Sequence, residues 1–402
     1  MTASISHPAL RDSTRTPRTA RGRVVVPGVA TPAFWLLAAI VTVLNMFGLV
    51  MVMSASSVPS VRAGAVPWSL FERQALWTVI GLVALGFTLL VSVDFWRRFA
   101  KIAMVGSIGL LVLVLVPGIG VSANGATRWL GYGPIQVQPS EFSKFGLLLF
   151  LADLLDRRGD RIRDLRWCFW PVVAYLAVVS GLIMLQPNLG TTMIIAFMVL
   201  TMLFVAGVPL LPLGAITGLG AAAAAWFVYF TPFRRGRLLA FLDPFKDPAN
   251  TGLQNVQAGV GLANGGLLGR GIGRSTAKWG FLPFAHTDFI FAVIGEEFGL
   301  AGALAVVVLF LGVTCTGAWI AARARDRYSM LLAAGITAWL SIQAFMNIGA
   351  VVGVMPITGV PLPFLSFGGS SLVTNLAAVG ILLNIARHPA DHQRWTLRRT
   401  AR

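Results

Sequence analysis

Three carboxylates crowd one stretch of a chain that otherwise avoids charge, 286-HTDFIFAVIGEEFG-299. Asp288 follows a long polar loop and opens an apolar run. A carboxylate so placed, below a loop rich in arginine, can take a proton from a hydroxyl or hold a divalent cation. The same position suits an N-cap, with Thr287 or Asp288 accepting from free N–H groups of the coming helix. The two roles are compatible, because one residue can cap while the other does chemistry. His286, the only histidine outside the two tails, reads as a structural or orienting residue. From Phe289 to Ala321 the apolar run would be about 49 Å long as one helix, well beyond the roughly 30 Å of a hydrocarbon layer. Its first turns are therefore expected in a cavity or protruding, which eases the placement of Glu296 and Glu297. At about 100° per residue, Glu296 falls roughly 80° from Asp288 and Glu297 roughly opposite it, so both cannot face one site on a regular helix. Each is expected to make a structural ion pair or hydrogen bond, one of them with a basic residue of a neighbouring helix.

Other polar segments could meet this one. The loop over residues 231–288 carries Arg234, Arg235, Arg237, Lys246, Arg270, Arg274 and Lys278 against Asp243, Asp247 and Asp288. That excess suits an anionic ligand held by charge-assisted hydrogen bonds, or anionic lipid head groups. The loop's 261-GLANGGLLGRGIG-273 follows no strand, so it is no nucleotide-binding fingerprint; its glycines allow tight turns or close approach to a ligand. In 125-GATRWL-130 and 138-QPSEFSK-144, Pro139 breaks a helix, Ser140 can cap the next, and Glu141 and Lys144 can pair at i, i+3 or line a cavity. The uncharged 356-PITGVPLPFLSFGGSS-371 is expected at membrane depth in non-helical form, tolerated where it lines a wet cavity.

The elements that position these residues follow from composition. The 402-residue chain is 56% hydrophobic and 12% charged, about half the charge of a soluble domain. It reads as an integral membrane protein, all-α because its apolar runs are continuous rather than alternating. The basic tail is followed by an apolar run too long for a cleavable signal, so a retained first span is expected. The short run 141–155 decides the topology. Counted as a span, it gives ten spans and leaves 21 of the 32 basic residues on the N-terminal side; omitted, it leaves 15 against 17, which is no bias. The positive-inside rule then favours ten transmembrane helices, both termini cytoplasmic, and the 231–288 loop outside. Residues 1–31 and 388–402 become basic cytoplasmic tails flanking a 32–387 membrane domain, the first tail expected to be disordered. The net charge of +17 is absorbed by those tails and loops, so nucleic acid is not a partner. Cys168 and Cys315 read as packing residues, with no disulfide framework. No internal repeat points to a transporter.

Six segments, in order and spread from the first span to the last, resemble the SEDS family, the FtsW and RodA proteins: 125-GATRWL-130, 138-QPSEFSK-144, 185-LQPNLGT-191, 242-LDPFKDP-248, 278-KWGFLPFAHTDFIFAVIGEEFG-299 and 363-PFLSFGGSS-371. The resemblance implies a peptidoglycan glycosyltransferase of the bacterial inner membrane, working on the extracytoplasmic face. It would polymerise lipid II onto a nascent glycan strand with β-1,4 links, inversion and release of undecaprenyl pyrophosphate. The family's essential aspartate matches Asp288, as base or as ligand of a divalent cation (Mg or Mn), with no organic cofactor. Substrate contacts are then expected at Lys278, Arg237, Arg128, Glu141, Lys144 and His286, with Glu296, Glu297, Asn188 and Ser366 as structural or cavity residues. Implied partners are a class B penicillin-binding protein, touching spans eight and nine and the outer loop, and other divisome or elongasome membrane proteins. The chain departs from the family where Phe284 replaces a usual Glu, Asn188 a usual Asp, and 252-GLQ-254 and 264-NGGL-267 vary their motifs. Lys278-Trp279 and Ala285 resemble FtsW, hence division, while 358-TGVPLPF-364 resembles RodA, hence elongation. A lipid II flippase, or a scaffold that only recruits a transpeptidase, are the rival readings.

Overall fold

Runs of about twenty apolar residues can satisfy their backbone without water only as helices, and long helices dominate the chain. The structure is a computed structural model describing residues 28–62, 64–123, 126–132, 135–159 and 169–389; Cys168 and most of both basic tails lie outside the described residues. In chain order the elements are α1 (Pro32–Arg62), α2 (Ser69–Leu90), α3 (Val93–Leu113), β1 (Gly120–Ala123), β2 (Ala126–Tyr132), β3 (Ile135–Val137), α4 (Pro139–Arg158), α5 (Trp170–Leu185), α6 (Leu189–Ala206) and α7 (Leu210–Phe230). There follow α8 (Pro232–Leu242), α9 (Leu253–Gly265), a 3-10 turn Ala277–Trp279, α10 (Ile290–Ala322), α11 (Arg327–Val352) and α12 (Gly369–Ala386). Among the described residues, seven helices (α1, α2, α6, α7, α10, α11 and α12) are long and apolar enough to cross a membrane. The short apolar run of α4 sits inside a 20-residue helix, which spans about 30 Å.

The packing is that of an integral membrane protein. Val83, Val105 and Leu211 stand 67%, 71% and 86% exposed, a surface that hydrocarbon accepts and water does not. α11 and α12 form the centre, with Trp339, Leu340, Leu376 and Ile381 fully enclosed. α7, by contrast, buries no residue.

Two features depart from the sequence expectation. The all-α reading is incomplete, because β1, β2 and β3 make an antiparallel sheet in that order, with Gly120 opposite Leu130 and Leu130 opposite Val137. And the long run after Asp288 is not one straight helix. Gly299, at φ 67° and ψ −164°, breaks α10 into a short buried segment and a longer one. The break frees backbone groups, and the glycine-rich loop satisfies them. Arg270 N–H donates to Glu296 O and Gly271 N–H to Glu297 O, both at 3.0 Å, while Leu300 N–H reaches Gly266 O at 2.9 Å and Ala301 N–H Leu267 O at 3.1 Å. Gly269 lies so close to this kink that a Cβ there would overlap Glu297 O. These glycines bring loop and helix backbones together rather than admitting a ligand.

Candidate active site

Asp288 is presented by a turn, not by a helix cap. α10 starts at Ile290 with Phe289 as its N-cap and no side-chain cap bond, so the capping role expected of Thr287 or Asp288 is not taken up. Phe284 sits at φ 61°, a region bulky residues avoid. That conformation aims its carbonyl at three donors: Thr287 N (3.1 Å), Phe289 N (3.3 Å) and Thr287 Oγ1 (3.2 Å). The next carbonyls are clamped from α11 and the segment before α12. Phe367 N–H donates to His286 O at 2.9 Å, Ser366 Oγ to Thr287 O at 2.6 Å, and Asn347 Nδ2 to Asp288 O at 2.8 Å. Asn347 also donates to Val360 O at 2.8 Å, tying the Asp288 backbone to the irregular 356–362 segment. Ser366 thus supports the turn that carries Asp288.

Around the Asp288 carboxyl stand guanidinium groups. Arg237 on α8 donates to Ile357 O at 3.4 Å. Arg128 on β2 is pinned by Gln186 O at 2.9 Å and by Pro187 O, so the unforeseen sheet is what carries Arg128 to the site. Gly359, at φ 69°, fills the remaining side: a Cβ there would lie 3.5 Å from Asp288 Oδ2 and 3.9 Å from Arg237 Nη1. Desolvation pushes the Asp288 carboxyl up to about 6, against the opposing pull of Arg237 and Arg128. Burial lowers Arg128 from the usual guanidinium value, and the neighbouring Arg237 and Arg234 lower it further. Arg237 is lowered by burial and held up by Asp288. Guanidiniums remain charged under any physiological condition, so the site is one acid that titrates near neutrality inside a fixed positive field. Such a field receives phosphate oxygens, and an acid of that kind can accept a hydroxyl proton.

The other expected residues fall elsewhere. Asn188 caps α6, accepting from Thr191 N–H at 3.2 Å; a cap needs an acceptor oxygen rather than a charge, so Asn serves there as well as Asp. Glu141 and Lys144 are buried and paired at 2.9 Å. Lys144 also donates to Gln343 Oε1 at 3.0 Å and faces the Trp339 ring, and Gln343 donates to Pro361 O at 3.0 Å. Through Gln343 this pair reaches the backbone two residues beyond Gly359, and both side chains are almost wholly enclosed. Lys278, expected to bind substrate, is 4% exposed and committed to Glu297 at 3.4 Å, Ser54 at 3.3 Å and Gly273 O. Its ammonium is drawn inward because Glu297 is buried and needs a counter-charge.

Glu296 and Glu297 do face one place, contrary to the helical-wheel expectation, because the loop crosses the end of the helix. Glu296 accepts from Ser275 Oγ and Thr276 Oγ1 (both 2.6 Å), Thr276 N (2.9 Å) and Ala277 N (3.1 Å). Glu297 accepts from Ser54 Oγ at 2.6 Å. Ser54 comes from α1, but the cations come from the loop, Arg270 to Glu296 at 3.6 Å and Lys278 to Glu297 at 3.4 Å, rather than from a neighbouring helix. His286 lines a separate cavity of about 200 Å³ with Arg62, Lys278 and Phe284, a cavity that Asp288 does not line. Burial lowers the imidazole from its usual value, since desolvation disfavours its charged form.

Asn347 and Gln343 were not anticipated. Their signal was present: two amides at i, i+4 on one face of an apolar helix, where polar groups are costly unless they bind something. Among the described residues no group of three His, Cys, Asp or Glu side chains could hold a metal ion.

With this geometry in hand, four likenesses are informative. The family described as cell cycle protein, FtsW/RodA/SpoVE, matches residues 34–391. A probable peptidoglycan glycosyltransferase FtsW of Geobacter metallireducens is 38% identical over 348 residues, 85% of this chain and 92% of that one. A chain from a solved peptidoglycan synthase complex, described as coordinating polymerization and crosslinking, superposes with TM-score 0.72 at 32% identity, covering 88% of this chain and 97% of that one. The rod shape determining protein RodA of Thermus thermophilus superposes with TM-score 0.66 at 29% identity, covering 88% and 96%.

Proposed function

The chain belongs to the FtsW/RodA/SpoVE family of cell cycle proteins, and from that premise we propose that it is a peptidoglycan glycosyltransferase that polymerises lipid II at the division septum. The observation that carries the reading is Asp288, an acid held near a pKa of about 6 between Arg237 and Arg128. In the reaction, the 4-hydroxyl of the incoming lipid-linked sugar attacks the anomeric carbon of the growing strand. The C–O bond to the diphosphate breaks, and undecaprenyl pyrophosphate leaves with the bonding electrons. Asp288 takes the hydroxyl proton as the new bond forms. Arg237 and Arg128 neutralise the diphosphate as charge builds on its leaving oxygen. A divalent cation, magnesium or manganese, would be held by the Asp288 carboxylate and would supply further neutralisation of the diphosphate charge.

Ten bundle-length helices, α1 to α7 and α10 to α12, serve as the ten spans. Both termini then lie in the cytoplasm and Asp288 opens to the outer face of the inner membrane, where lipid-linked sugars are presented. The FtsW relatives favour division over elongation. The likeness to a synthase complex of polymerization and crosslinking supports a class B penicillin-binding protein as partner.

The test is polymerisation by the purified protein, with its transpeptidase partner, on lipid II. Glycan strands made by the wild type and lost in a folded Asp288→Ala variant support the assignment. Lipid II scrambling in liposomes that survives Asp288→Ala, with no strands from the wild type, makes the protein a flippase instead.

A further inference from the structure

At the end of the bundle opposite Asp288, four cations meet two carboxylates. Arg97 of α3 bridges Asp153 at 2.9 Å and Asp156 at 2.6 Å, and Arg157 joins Asp153 at 2.8 Å. Those contacts consume both acids. Lys101 on α3 and Arg158 at the end of α4 are left with no ion pair or hydrogen bond among the described residues. Both line a cavity of about 530 Å³, together with Phe150, Asp153, Leu154, Arg157 and Tyr175. Its size is that of a small-ligand site.

The cavity is amphipathic along its depth. Arg157 and Arg158 mark its rim at the α4 terminus, while Phe150 lies about 10 Å further into the helix at 1.5 Å per residue. Phe150 meets Tyr175 of α5 edge-on at 4.6 Å between ring centroids, closing the inner end with an aromatic wall. The flanking helix surfaces face lipid: Ile102 and Val105 beside Lys101 are 64% and 71% exposed, and Trp170 at the start of α5 is 59% exposed. A tryptophan at a helix end marks the membrane interface, so the rim lies at head-group depth. A ligand seated there has phosphate-binding cations at one end and bilayer hydrocarbon alongside.

We propose that this cavity holds the head group of an anionic phospholipid, its phosphodiester on Lys101 and Arg158 and its acyl chains along the outer faces of α3 and α5. With the topology above, the lipid comes from the cytoplasmic leaflet, where anionic lipids act on basic pockets between helices. The site is independent of Asp288, and its test does not depend on polymerase activity.

The test is native mass spectrometry of the full-length protein in detergent, titrated with phosphatidylglycerol or phosphatidylcholine. The wild type retains phosphatidylglycerol in preference to phosphatidylcholine. A Lys101→Ala, Arg158→Ala double variant binds phosphatidylglycerol about 30-fold more weakly, from loss of two interfacial cations, with phosphatidylcholine adducts unchanged. Arg158→Glu alone provides a second variant should the double one melt early, and must also weaken the adduct. Inorganic phosphate at millimolar concentration leaves the adduct in place if the ligand is a lipid. Equal retention of both lipids, variants that bind as the wild type does, or displacement by inorganic phosphate would each overturn the proposal.

Discussion

Glu296→Ala is the sharpest probe of how the site is held. The carboxylate is fully enclosed and accepts two backbone N–H groups, from Thr276 and Ala277, and two hydroxyls, from Ser275 and Thr276. On truncation the hydroxyls can turn to other acceptors, but the two backbone groups cannot. A buried donor left unsatisfied costs about 1–3 kcal/mol, so the loss should be about 2–6 kcal/mol, a large part of a typical total of about 5–15 kcal/mol. Glu296→Gln is the graded control. Its amide oxygen can replace Oε1 and keep both Thr276 contacts, and its NH₂ can donate to the Ser275 hydroxyl. Ala277 N–H would then face a donor, leaving one orphan and a cost of about 1–3 kcal/mol. Thermal unfolding in detergent should rank wild type above Glu296→Gln above Glu296→Ala. Hydrogen exchange should show the same order locally, with amides 275–278 opening most in the alanine variant. If those amides and the melting midpoint in Glu296→Ala match the wild type, the carboxylate does not fix this loop and the argument fails.

Four further outcomes follow from the site and the helix that carries it. Polymerisation should climb as pH rises through about 6, where the Asp288 carboxyl ionises, and Arg237→Gln should move that limb to higher pH by removing a cation that favours the ionised form; an unmoved limb would dissociate the two residues. The sign for stability is opposite: the folded state holds this proton more tightly than an unfolded aspartate near 4, so the group favours folding below that value and the contribution fades as pH passes about 6, which pH-dependent melting of wild type against Asp288→Asn can read. Asn347→Ala should lower kcat with little change in the KM for lipid II, since it frees the Asp288 and Val360 carbonyls without touching substrate; a change in KM alone would contradict this. Gly299→Ala puts a side chain at φ 67° against Gly269 N, and should destabilise by about 1–3 kcal/mol from backbone strain, measured as a lower melting midpoint.

Hydropathy and charge made the membrane helices legible, because lipid imposes its demand on every residue of a span. The segment around Asp288 stood out as well, a carboxylate between a basic loop and an apolar run, although the same pattern suits an N-cap that the turn at Phe284 displaces. What escaped was set by contacts distant in sequence. Nothing local to Lys278 says that Glu297 will be buried beside it, and nothing local to Glu141 says that α11 will close over it. The helical wheel separated Glu296 from Glu297 correctly for a free helix, but the loop residues 275–278 reach both carboxylates. The sheet was missed for a different reason: β2 is seven residues long, too short to stand out beside twenty-residue runs, although Asn124-Gly125 between alternating segments is a hairpin signal.

The exchange of four backbone hydrogen bonds between residues 266–271 and the broken turn at Gly299 has a mechanical consequence. Covalently, the glycine loop and α10 are joined through a long path; through this splice they are one stiff lever. A partner that grips the loop can therefore pull on the helix whose first turn follows Asp288, eleven residues before the splice by chain numbering, without touching Asp288 itself. Tension applied at the surface would arrive at the acid as a small displacement of its carboxyl.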